Sequence, residues 1–191
     1  MKPRAWLKAA LLAAAMYATS MQTPVAAQSG TGVVISEFRF RGTNGGNDEF
    51  IELFNASDSP VGVGGWTIRA SNNNQPPSVA IRATIPAGVV INPGCYFLVV
   101  NNNASAGYSG AVAGNLTYGV GFADDGGVAV MRADLTIVDQ VGHGANGAFG
   151  EGTRLPTLTT NANRGVERRP GGAAGHADTN NNAADFQVIT P

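Results

Sequence analysis

The stretch that most constrains the fold is Glu49-Phe50-Ile51-Glu52-Leu53-Phe54-Asn55, followed by Ala-Ser-Asp-Ser-Pro60 and then Val61-Gly-Val-Gly-Gly65-Trp66-Thr67-Ile68. Between Phe50 and Phe54 apolar residues fall on both faces, with one carboxylate, Glu52, set among them. This is the pattern of a strand packed on at least one side and central in its sheet. Asn55 to Pro60 ends it, because short polar side chains there bond their own backbone and Pro60 removes a donor and fixes φ. Gly62, Gly64 and Gly65 then carry the chain round to Trp66, a β-arch closed by an aromatic plug.

Short strand signals separated by turns continue along the chain. In Val33–Phe40 the alternation puts Val33, Ile35 and Glu37 on one face and Val34, Ser36, Phe38 and Phe40 on the other, with 41–48 as a hairpin loop. Further strands are expected over 79–85, 95–100 (buried on both faces), 128–131, 135–141, 162–168 (an edge) and 185–189 (closing a sheet). Residues 101–115 read as the longest loop, and 142–153 as a Gly-rich excursion. No segment after residue 27 has a helical period, so the pattern predicts an all-β sandwich.

Ile35-Ser-Glu37, Glu49-Phe-Ile-Glu52-Leu-Phe-Asn55 and Gly65-Trp66-Thr-Ile68 together resemble the lamin-tail domain, found in nuclear lamins and in secreted bacterial proteins. The approach segment Pro86–Gly94 and the run from Asp125-Gly-Gly to Val138-Asp139 are also similar to it. The resemblance extends over roughly 33–191 and implies an immunoglobulin-like β-sandwich. It implies a fold more firmly than an activity, because one sandwich hosts many functions.

Lys2, Arg4 and Lys8 precede the apolar run Ala9–Ala15, and Val25-Ala26-Ala27 offers small residues for cleavage, so 1–27 read as a signal peptide and 28–191 as one mature domain. The apolar run is too short to span a bilayer core of about 30 Å. A secreted, periplasmic or cell-surface product is therefore expected. Three of the twelve Lys and Arg lie in the leader, which leaves nine against thirteen acidic residues, a net charge of −4. That balance makes nucleic acid an unfavourable partner. Both lysines are in the leader, which excludes a phosphate-loop lysine and Schiff-base chemistry from the mature chain. The single Cys95 has no intramolecular partner and reads as a small buried residue.

Several constellations invite a chemical reading. Asp178-Thr-Asn180-Asn-Asn182-Ala-Ala-Asp185 has the alternating oxygen spacing with which a calcium loop opens, but lacks the sixth-position Gly and twelfth-position Glu of an EF-hand. A hydrogen-bonded turn is favoured over calcium for these four residues, and a comparable Asp/Asn run before Ala-Asp-Phe is associated with the resembling family. Gly142-His-Gly144-Ala-Asn-Gly147 matches a dinucleotide fingerprint but continues in loop, without the helix N-terminus that holds a pyrophosphate. His143 and His176 read as solvated loop histidines, with no His/Cys cluster to complete a zinc tetrahedron. Glu37 and Glu52, on neighbouring strands, form a potential carboxylate pair of raised pKa, but two partly solvated or Arg-bonded side chains are the favoured reading. Arg164, Arg168 and Arg169 are expected to pair with the acidic 178–185 segment rather than grip a phosphate. Asn55, Asn103 and Asn115 lie in glycan-acceptor patterns. No serine follows Ser109, which disfavours a hydrolase triad.

These readings favour an exported, non-catalytic binding or cell-surface module without a cofactor, recognising a protein or surface polymer through loops 71–77, 101–115 and 142–153 on a rigid scaffold. The alternative is a small secreted metal-dependent hydrolase or a calcium-binding accessory domain.

Overall fold

The computed structural model describes residues 32–171 and 175–190, so the predicted leader lies outside the described residues. Its strands are β1 (Val33–Arg39), β2 (Phe50–Asn55), β3 (Val61–Gly62), β4 (Thr67–Ser71), β5 (Val79–Thr84), β6 (Val90–Ile91), β7 (Tyr96–Asn101), β8 (Leu116–Tyr118), β9 (Gly127–Met131), β10 (Ile137–Gly142), β11 (Gly165–Arg168) and β12 (Phe186–Ile189). One sheet runs β12-β11-β1-β2-β7-β8, the second β10-β9-β4-β5, and β3 pairs with β6 in a small third sheet. The result is an immunoglobulin-like β-sandwich.

The organising strand β2 sits inside the larger sheet, flanked by β1 and β7. Ile51 and Leu53 point inward with Ile35, Phe38 and Val99, against Ile68, Val128, Val130 and Val141 of the opposite sheet. Burial of each such side chain contributes roughly 1.5–3 kcal/mol. Trp66 is 7% exposed and plugs the same core. The arch before it is tight: a Cβ on Gly64 would meet the Gly88 amide nitrogen at 2.8 Å, and Gly65 turns at a φ of +82°. A side chain is excluded at the first position and disfavoured at the second.

Five expectations need correction. The alternation expected in β1 breaks at a bulge, where the register to β2 shifts between Ile35 and Glu37. Ser36 is the extra residue, so Ile35 and Phe38 both face the core while Glu37 turns outward. β11 is not an edge: it lies between β1 and β12, because the C-terminal strand adds beyond it. Cys95 is exposed, since it closes the turn before β7, with its amide on the Asn92 carbonyl and its own carbonyl accepting from Asn55. One helical turn, α1 (Asn182–Asp185), forms where no helix is expected, started by the Asn181 side chain accepting from the Ala184 amide. The longest connection is 143–164, between β10 and β11, rather than the loop after β7.

Candidate functional site

The bulge at Ser36 sets the chemistry of the outer face of the large sheet. Beyond it Glu37 lies opposite Glu167 on one side and Glu52 on the other, and Glu52 lies opposite Leu98. Three glutamates thus stand abreast on adjacent strands. Beside them is a groove of about 550 Å³, lined by Glu37, Glu52, Phe50, Leu98, Tyr96 and Tyr108 and roofed by loop residues including Ala111 and Val112. Phe50, Leu98 and Val100 form a small apolar cluster on this outer face, with Tyr108 edge-on to Phe50 at 5.6 Å.

The roof, loop 102–115, is pinned rather than draped. Asp48, buried at the end of the β1–β2 loop, accepts from the Ser109 amide at 2.9 Å, the Ser109 hydroxyl at 2.7 Å and the Asn44 amide at 3.0 Å. It also pairs with Arg39, whose Nε donates to the Asp48 carbonyl at 3.0 Å. Burial pushes the Asp48 carboxyl up, but the Asn44 and Ser109 donors and the Arg39 charge together hold it below the usual range. Asn115 closes the loop by accepting the Leu98 amide at 2.8 Å.

Burial, then the charges of Glu52 and Glu167, push Glu37 up to about 7 against the opposing pull of Arg39. Its Oε1 is buried with no hydrogen-bond partner among the described residues. Glu52 is also raised by burial and by Glu167, although its Oε1 accepts from the Ser36 hydroxyl at 2.7 Å. Glu37 and Glu52 therefore do stand as a pair of raised pKa, against the favoured reading of two partly solvated or Arg-bonded side chains, with Glu167 as a third member that sequence spacing did not reveal.

The residues considered for calcium are placed in a second acidic site at the β11–β12 connection. Asp185 accepts from the Thr179 amide and hydroxyl at 2.8 and 2.7 Å and from the Asn181 amide at 3.2 Å. Asn182 turns away to accept from the Gly142 and Glu151 amides and to donate to the Gln140 carbonyl. Asp178 accepts from the Asn180 amide at 3.5 Å. The carboxylate oxygens that converge, to within 4.8 Å, are those of Asp178, Asp185 and Glu151, so Glu151 joins from the Gly-rich excursion. Arg168 lies in the same site, 3.5 Å from Asp178 and 3.8 Å from Asp185, as the charge pattern predicts. Burial and then the neighbouring Asp139 and Asp178 push Glu151 up to about 8, so a cation there would have to displace a proton as well as contend with the guanidinium.

The remaining predicted residues disperse. His143 is buried rather than solvated: its ring packs edge-on against Phe38 and Phe40, and Nδ1 meets the Pro156 carbonyl at 2.9 Å. His176 packs, tilted, against Phe54 at 4.1 Å, and Phe54 in turn packs against Tyr96 at 4.7 Å. Asn55 spends its side chain on the Ser59 and Ile91 carbonyls and the Ser57 amide, so the first glycan pattern is buried. Loops 72–78, 119–126 and 143–148 meet where Asn73 bonds Asp125 and the Asn146 amide. Loop 41–48 joins them through Arg41 and Asp124, and reaches loop 102–115 through Asn44 and the Gly107 carbonyl.

Residues 26–145 match the Lamin Tail Domain family. The match covers more than half of the chain and ends before β11, so Arg168 and the 178–185 turn lie beyond it. Comparison with curated proteins gives no match.

Proposed function

Because the chain belongs to the lamin-tail-domain family, we propose that it serves as a non-catalytic binding module whose recognition surface is the groove between β1, β2, β7 and loop 102–115. The partner is a protein or a surface polymer, met outside the cytoplasm after export through the leader at 1–27. The family's immunoglobulin-like fold is compatible with such a role. The observation that carries it is the groove itself: an apolar floor of Phe50 and Leu98 with a few placed polar groups, under a loop that Asp48 and Asn115 hold in one position. A pre-formed concavity of mixed lining is the usual form of a binding site. The glutamates of the wall oppose phosphate, which supports excluding nucleic acid. The basic n-region, short apolar run and Val25-Ala26-Ala27 support export.

The test is to titrate ¹⁵N-labelled protein with a panel of short peptides rich in Lys, Glu, Ser/Gly or Leu, and with neutral oligosaccharides. Saturable amide shifts confined to Glu37, Glu52, Leu98 and Tyr108 are expected from at least one member. Shifts that fall only on the loops around Asn73 and Asn146, or nowhere, would move the recognition surface away from the groove.

A further inference from the structure

We propose that the groove takes an alkylammonium group, supplied either by a free amine or by a lysine side chain of a partner protein. This rests on reading the groove as the recognition surface. Like charges directly opposite on antiparallel strands repel, yet Glu167, Glu37 and Glu52 stand in one cross-strand row. Gln187 answers only the outermost of them, donating to Glu167 at 3.3 Å. Arg39 lines the groove, but its side chain is 3% exposed and already committed to Asp48, with further bonds to Ser109 at 3.1 Å and Asn163 at 3.2 Å, and Arg169 reaches the outer end of the row through Gln187, to which it donates at 3.3 Å. Glu37 keeps a buried acceptor oxygen without a partner. The row therefore carries negative charge that the pull of Arg39 on Glu37 offsets only in part.

The lining decides which cation fits. The carboxylate oxygens of the row are not among those that converge for a metal; among the described residues such convergence occurs at Glu151, Asp178 and Asp185. Directly opposed residues on neighbouring antiparallel strands have Cβ atoms about 4.5–5.5 Å apart, a span that one ammonium with three separate donors can bridge. Tyr96, 53% exposed, presents its ring to the same space, and ring faces attract ammonium groups within about 6 Å; the Tyr108 ring already takes one cation, with the Arg39 guanidinium 5.9 Å from its centroid. Phe50 and Leu98 supply an apolar bed for the methylene stem. A charged head, an aliphatic stem and aromatic walls are the complement of this lining.

The experiment titrates ¹⁵N-labelled protein with n-butylammonium chloride, with the peptide Gly-Lys-Gly, and with Gly-Lys-Gly acetylated at Nε, at constant ionic strength. The ammonium ligands are expected to shift Glu37, Glu52, Leu98 and Tyr108 saturably, with the acetylated peptide silent. Affinity should fall by at least about tenfold in Glu52→Gln and in the double variant Glu37→Gln/Glu52→Gln, whose melting temperatures stay at or above that of the parent because a repulsion has been removed. Equal affinity for the two ammonium ligands assigns the site to free amines, and at least about tenfold tighter peptide binding assigns it to a partner's lysine. Unchanged affinity in the variants, or equal response to the acetylated peptide, overturns the inference and leaves the groove as a recognition surface. Silence at those residues with every ligand, the wider panel included, overturns both.

Discussion

Arg168 on β11 and Asp139 on β10 meet across the interior of the sandwich, Nη2 to Oδ2 at 2.5 Å, with side chains 0% and 2% exposed. Arg168 also donates from Nε to the Ile35 carbonyl at 2.9 Å, and Asp139 accepts the Ile35 amide at 2.6 Å. Both backbone groups of one bulge residue are thus satisfied by an ion pair that joins the two sheets. The guanidinium lies 4.4 Å from the Phe186 ring, so the pair fixes β12 as well.

Removing one partner of this pair leaves a buried, uncompensated charge. Arg168→Met is expected to destabilise the fold by about 3–5 kcal/mol, and Arg168→Met/Asp139→Leu to recover much of that loss, since a buried pair replaced as a unit by apolar residues costs little. Urea unfolding of the two variants checks this. A double variant no more stable than the single one would mean that the hydrogen bonds to Ile35 matter more than charge balance.

The roof of the groove depends on Asp48. Asp48→Ala strands the buried Arg39 guanidinium and removes the acceptor of four further donors, the Asn44 and Ser109 amides and the Thr43 and Ser109 hydroxyls, so a loss of about 3–5 kcal/mol is expected. Amide hydrogen exchange should accelerate at Ser109 and Asn44 well before the core opens. Protection unchanged at Ser109 would show that the loop is held by Asn115 and its own turns alone.

How legible this was in the sequence differs between elements. The β2 arch and Trp66 were readable because alternation, polar stop and glycine turn all pointed the same way. The outer face of β1 was not, because a bulge adds one residue without any side-chain signature and inverts everything after it, so alternation set Glu37 on the core face with Val33 and Ile35. The Asp48–Ser109 and Arg168–Asp139 contacts join residues 61 and 29 positions apart, and only the closed sandwich brings them together. Glu151 was missed as a neighbour of Asp178 and Asp185 for the same reason. The burial of His143 came from an apolar pocket made by Phe38 and Phe40, which nothing in the surrounding glycines announced.

Stability should fall as pH rises through neutrality. Burial, opposed by donors from Asn101, Phe122 and Tyr118, pushes Glu49 up to about 7, as burial and like charge do for Glu37. Between about 4.5 and 7 the folded chain holds protons that the unfolded chain has released, so the contribution is complete below that window and lost above it. Glu151, at about 8, extends the decline slightly further. Asp48 acts in the opposite sense only in acid below its ordinary value of 3.8, and His143, lowered by burial from 6.5, opposes the three glutamates below 6.5 without outnumbering them. The melting temperature should be higher at pH 5 than at pH 7.5, by about 2–4 °C per kcal/mol of linkage, with a shallower slope in Glu37→Gln. A rising or flat profile over that range would refute the assignment.

Calcium should leave the melting curve unmoved at neutral pH. Arg168 already lies between Asp178 and Asp185, and Asp185 has given its oxygens to Thr179 and Asn181. Thermal unfolding in millimolar calcium and in chelator is the check. A saturable rise would promote Glu151, Asp178 and Asp185 to a cation site, since a ligand bound by the native state alone stabilises in proportion to its occupancy.

The most direct test of the account fills the groove without touching the core. Val112 is 67% exposed on the roof loop and lines the groove, so Val112→Trp places an indole in the cavity while leaving the sandwich intact. Binding of the panel ligand that wild type holds most tightly is then measured by calorimetry in both proteins. An unchanged melting temperature is expected, with affinity reduced by at least about tenfold, or roughly 1.4 kcal/mol; wild-type affinity in the filled variant would place recognition outside the groove.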